Sequence, residues 1–135
     1  MAKAIGIGGV FIKYQDPDKI KRWFEEVLGL QPNDYGVLFG FNNGHTEKGY
    51  LQLGTFPAST DYFGSEKQHV MLNFRVDDLE SLKEILIEKG VTLCNEIESY
   101  EYGKFLHILD PEGNRVELWE PVDRAFDREK IVEMK

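Results

Sequence analysis

The hydrophobic pattern of this chain changes period several times, and the changes divide it into elements. Residues 5–14 alternate imperfectly between apolar and polar positions and are rich in β-forming residues, which predicts a strand. Asp16-Pro17 then offers an N-cap followed by proline at the first helical position. Ile20, Trp23, Phe24, Val27 and Leu28 share one face of an amphipathic helix, and Gly29 ends it. Trp23 and Phe24 are expected to pack in the core. Two strands follow at 35–41 and 49–55, joined by a polar segment whose Asn43-Gly44 is a strong turn signal and whose His45 is expected to face solvent. Residues 57–67 are irregular and carry Asp61-Tyr62-Phe63, adjacent aromatics that close over either a ligand or the core beneath.

The second half repeats this order. A strand at 69–76 leads to a helix capped by Asp77 or Asp78, with Leu79, Leu82, Ile85 and Leu86 on its apolar face and Gly90 closing it. A strand is predicted at 91–97 and a turn at 99–103. Then comes the hairpin Phe105–Pro121, whose loop Asp110-Pro-Glu-Gly-Asn114 combines a proline, a glycine and two residues that bond local backbone. Setting Asp16 on Asp78 superposes Ile20, Trp23 and Phe24 on Leu82, Ile85 and Leu86, so a βαβββ pattern is used twice. In the hairpin, a period of two puts Glu117 on the face of Arg115 and Trp119, and Leu109 opposite Arg115 sets His107 opposite Glu117. The charged tail, residues 122–135, has helical spacing around Phe126 and Ile131. The sequence leaves open whether it packs or frays.

Composition narrows the function classes. A net charge of −8 with scattered basic residues excludes nucleic acid and anionic membrane surfaces as main partners. No apolar run approaches the ~20 residues of a membrane span, and the N-terminal apolar stretch is broken by glycines, so a cytoplasmic protein is expected. Cys94 is the single cysteine, and its strand-like setting reads as a buried structural thiol.

Three features carry a family resemblance: the Asp16-Pro17 helix with Trp23-Phe24 and Val27-Leu-Gly-Leu30, the Val76-Asp-Asp78 opening of the second helix, and Leu109-Asp-Pro-Glu-Gly-Asn-Arg-Val-Glu-Leu118. Over residues 5–121 the chain resembles the vicinal oxygen chelate superfamily, which includes glyoxalase I, bleomycin-resistance proteins, extradiol dioxygenases and methylmalonyl-CoA epimerase. The resemblance implies an α+β fold in which two βαβββ modules, about 5–57 and 68–121, form one domain with a curved mixed sheet around a cavity. It also implies a homodimer.

Metal-dependent members of that superfamily place ligands on the first and last strand of each module. Carried onto this chain, those positions are Gly9, Gln52, Met71 and Glu117. Glycine has no side chain and a thioether is a soft ligand, so this set does not compose the usual divalent site. His69, two positions before Met71, reads as a strand-end residue near solvent. The expected cavity face carries Phe11, Lys13, Tyr50, Gln52, Met71, Asn73, Arg75, Phe105 and Trp119, with Tyr62 and Phe63 from the loop above. Arg75 or Lys13 is placed to hold an anionic group. Glu117 and His107 are the candidate catalytic pair, either for acid–base work or as a cross-strand pair that satisfies two polar groups. The reading is a glyoxalase-like protein that binds a small organic molecule without a tightly bound metal or other cofactor. The alternative is a lyase or isomerase, metal-assisted or using His107 and Glu117.

Overall fold

The computed structural model describes residues 1–42 and 48–134; the Asn43-Gly44 turn and His45 lie outside the described residues. The elements run β1 (Ala4–Tyr14), α1 (Pro17–Leu28), β2 (Pro32–Asn33), β3 (Gly36–Asn42), β4 (Lys48–Pro57), β5 (Val70–Val76), α2 (Leu79–Glu88), β6 (Glu98–Tyr100), β7 (Gly103–Leu109) and β8 (Arg115–Pro121). A 3₁₀ turn, Asp123–Phe126, and β9 (Val132–Glu133) complete the chain. The order strand, helix, three strands occurs twice. All strands join one mixed sheet, β2-β3-β4-β1-β5-β8-β7-β6, with β9 added beside β3, and its two end strands do not meet. The expected α+β, glyoxalase-like architecture is thus present.

Local chemistry explains the element boundaries. Asp16 and Asp78 each accept the backbone N–H three residues on, from Lys19 and Ser81, capping their helices with Pro17 at the first turn of α1. In the final hairpin, Asp110 Oδ1 accepts the N–H groups of Glu112 and Asn114, and Gly113 takes φ +83°, a conformation an L side chain resists. Those backbone donors, that of Asn114 first, hold the exposed Asp110 carboxyl below the usual carboxylate range.

Strand alternation separates two apolar clusters. On the outer face Val76, Leu106 and Leu118 meet Leu79 and Leu82 of α2. On the inner face Phe11 and Met71 enclose Phe63, which is 1% exposed and anchors the 58–67 loop over the sheet.

Four expectations need correction. Only Phe24 of the α1 stripe is buried; Trp23 is 49% exposed, and Val27 and Leu28 lie outside as well. The outer faces of central β1 and β5 likewise leave Ile5, Ile7, Val70 and Leu72 exposed. Residues 91–97 form no strand, making only a bridge from Leu93 to Ile108, because β6 takes the place beside β7. The 99–103 turn is correspondingly shifted, with Glu98–Tyr100 forming that edge strand. Cys94 is half-buried rather than enclosed.

Candidate functional site

Register brings one row of residues across the inner face. Gln52 on β4 lies beside Gly9 on β1, Gly9 opposite Asn73 on β5, Asn73 beside Glu117 on β8, and Glu117 opposite His107 on β7. The position level with Gly9 is therefore Asn73; Met71 pairs one step along with Phe11 and is wholly buried against it. On the other side of the row stand Tyr50, Arg75, Trp119 and Phe105, all reached by the same alternation.

Glu117 is the centre of this row. It is 1% exposed, and three donors converge on it. Asn73 Nδ2 donates to Oε1 at 2.6 Å, while His107 Nε2 at 2.7 Å and the Tyr62 hydroxyl both meet Oε2. An ionised Glu117 places the imidazole proton on Nε2 and leaves Nδ1 as an acceptor, which faces Arg115 Nη1 at 3.3 Å. The imidazole thus bridges the Arg115 guanidinium and the Glu117 carboxylate. The backbone N–H of His107 is itself fixed by Asn95 Oδ1 at 2.9 Å.

The loop supplies the roof. The Tyr62 ring stacks on Phe56, with centroids 5.6 Å apart, and meets the His107 ring edge-on at 4.9 Å. Burial first, and then the neighbouring Glu117 charge, push the Tyr62 hydroxyl pKa well up, so it stays a donor at neutral pH. Beside this network lies a cavity of about 270 Å³ lined by Asp61, Tyr62, Asn95, Glu98, Phe105, His107 and Arg115. Among the described residues, Asn73 Oδ1 and Arg115 Nε are buried polar atoms without a hydrogen-bond partner.

The glycines of β1 make room for this packing. A Cβ on Gly8 would come within 2.3 Å of Asn73 Oδ1 and 2.7 Å of Trp119 Cε3. Trp119 thus lies across Gly8, which presents no side chain, and stacks on Phe105 at 5.9 Å.

The remaining expected residues are placed as follows. Gln52 is half-buried and its amide nitrogen donates to the Val37 and Leu53 carbonyls, each at 3.1 Å. Lys13 reaches the Ser65 carbonyl and lies over the Phe63 ring. Arg75 holds an anionic group, but from its own chain: Asp123 Oδ1 at 2.9 Å and Oδ2 at 2.5 Å. His69 is exposed just before β5. The sequence reading missed Asp123 and Phe126, whose only signal was a buried-type pair hidden in a charged tail. It also missed Asn95, which lay inside an expected strand.

Comparison with known proteins agrees with this fold. The family model described as Glyoxalase/Bleomycin resistance protein/Dioxygenase superfamily matches residues 6–118. A methylmalonyl-CoA epimerase from Mycobacterium tuberculosis superposes with a TM-score of 0.60 at 20% identity, over 92% of this chain and 93% of that one. A Streptomyces coelicolor methylmalonyl-CoA epimerase variant in complex with 2-nitronate-propionyl-CoA gives a TM-score of 0.65 at 14% identity, over 89% and 99%. A Mn(II)-bound glyoxalase from Novosphingobium aromaticivorans gives 0.64 at 16% identity, over all of this chain and 43% of that one. At these identities the likeness is one of fold. No curated protein sequence matches the chain.

Proposed function

The chain belongs to the glyoxalase/bleomycin resistance protein/dioxygenase superfamily, and from that premise we propose that it binds a small organic molecule in the cavity beside Glu117 without a tightly held metal. The carrying observation is the way Glu117 is used. Its carboxylate already accepts from three N–H and O–H donors, Asn73 Nδ2 on one oxygen and His107 Nε2 and the Tyr62 hydroxyl on the other. The other positions fit a divalent cation no better. Gly9 offers no side chain, the Gln52 amide is tied to backbone carbonyls, and Met71 is a thioether enclosed by Phe11 and Phe63. The donor set of this row therefore does not fit a divalent metal.

The ligand would lie against Phe105 and the Tyr62 ring, with Arg115, Asn95 and the His107 edge as its polar contacts. Residues 1–121 act as one domain in this reading, and the exposed aliphatic strip on β1 and β5 faces a second copy in a homodimer. A second reading, a lyase or isomerase, is favoured by one detail: Tyr62 and His107 share a single carboxylate oxygen. A ligand that displaced the Tyr62 hydroxyl would find that oxygen open, with an imidazole ready to receive or return a proton.

The test is a thermal-shift screen of small organic molecules with and without EDTA. Hits should persist in EDTA and weaken in Phe105→Ala and Glu117→Gln. Hits that all require added manganese, nickel, zinc or iron, or stoichiometric metal that leaves with Glu117→Ala, would overturn the metal-free reading. For the second reading, turnover of any hit that is unchanged in His107→Asn excludes acid–base work by the imidazole.

A further inference from the structure

Arg75 is the second buried charge of the inner face, at 6% exposure, and the sheet alone positions it. Nη1 donates to the Tyr50 carbonyl at 3.0 Å, and the guanidinium carbon lies 5.4 Å from the Phe41 ring centroid and 5.6 Å from that of Trp119. The strands do not supply its counter-ion. That comes from the segment after β8, where Asp123 forks onto both terminal nitrogens. Three residues later the Phe126 ring packs on Tyr50 at 5.4 Å, edge-on to Trp119 at 5.8 Å and beside Tyr102 at 6.3 Å. Side chains three apart eclipse in a 3₁₀ turn, so one face of this turn presents a carboxylate and an aromatic ring together.

We propose that this end of the concavity is a binding site for arylalkyl carboxylates, and that the Asp123–Phe126 turn is its resident occupant, displaced when such a ligand enters. Arg75 and the aromatic walls Phe41, Tyr50 and Trp119 stand on strands of the sheet rather than on the turn, so the site is built on rigid elements. A buried ion pair is a weak source of stability, because desolvation of both charges offsets their attraction. Exchanging one carboxylate for another keeps Arg75 paired, so it avoids the cost of leaving a buried charge alone. The rest of the segment is held shallowly. Residues 127–130 are exposed, Asp127 accepts one hydrogen bond from the Tyr50 hydroxyl at 2.9 Å, and β9 is two residues long. The proposal does not depend on the Glu117 cavity, whose lining shares none of these residues.

The experiment uses the full chain with Asp123→Ala, Phe126→Ala and both together, titrated with 3-phenylpropionate and, as the uncharged control, 3-phenylpropanamide. Binding is read by calorimetry and tryptophan fluorescence, since Trp119 walls the site. The double variant should bind the carboxylate at least ~10-fold more tightly than the unaltered chain, about 1.4 kcal/mol, with no such gain for the amide. Saturating 3-phenylpropionate should also speed tryptic cleavage after Arg124 and Arg128 in the unaltered chain. Should Asp123→Ala leave Arg75 too costly for folding, Phe126→Ala keeps the ion pair and should still show a several-fold gain. Folded variants with no gain, equal binding of the amide, or cleavage unmoved at saturation would each overturn the proposal.

Discussion

Tyr62→Phe removes one oxygen and leaves the ring stacked on Phe56 and His107, so it isolates the hydroxyl bond to Glu117. A hydrogen bond to a charged acceptor contributes about 1.5–3 kcal/mol. Tyr62 is 39% exposed, so water can reach the vacated oxygen, and we discount the loss to about 1 kcal/mol. For a chain of this size that lowers the unfolding midpoint by roughly 3–5 °C. The pH dependence is more diagnostic. Burial first, and Glu117 next, raise the Tyr62 pKa in the folded state, so folding favours the protonated phenol. That contribution is complete below the pH at which an unfolded tyrosine ionises, about 10, and is lost as pH rises above it. The advantage of about 1 kcal/mol should therefore shrink as pH rises above about 10. Urea unfolding of both proteins at pH 8 to 11, followed by tryptophan fluorescence, measures the difference directly, because the other tyrosines cancel. Equal stability at pH 8, or a gap that stays constant to pH 11, would refute the assignment.

Two further predictions concern packing. Gly8→Ala should cost about 1–3 kcal/mol, because its Cβ meets an Asn73 locked onto Glu117 and the Trp119 ring. Gly6→Ala, with nothing within 4 Å, should stay within about 0.5 kcal/mol; chemical denaturation of the pair checks both. On α1, Phe24→Ala should cost about 3–5 kcal/mol and Trp23→Ala under about 1 kcal/mol, an order opposite to ring size that thermal melts would reveal.

Much of the fold was legible because local chemistry and periodicity agree. Both aspartate caps, the Asp110–Asn114 loop and the His107–Glu117 pairing follow from spacings within a few residues. The exposure of Trp23 was not legible, since a stripe on a helix says which face is apolar but not how wide a surface awaits it. Nor was the level of Asn73 with Gly9: the family positions carried onto this chain assign Met71, whereas β1 is longer than β5 and its pairing with β5 carries two register irregularities. Tyr62 was named only as one of two loop aromatics; its role depends on a loop anchored by Phe63, a contact no local pattern encodes. Asp123 was hidden for the same reason, being 48 residues from Arg75.

The pairing of β9 with β3 matters beyond the cavity. Val132 and Glu133 lie parallel to Phe39 and Gly40, while β2 covers Gly36 and Val37, so the apolar run Gly36-Val-Leu-Phe-Gly-Phe41 presents little free edge. At the far end of the sheet, β6 is only three residues long and carries Glu98. Among the described residues, β9 thus covers the hydrophobic edge of β3. Removing residues 122–134 would uncover that edge and offer a sticky strand to neighbouring molecules.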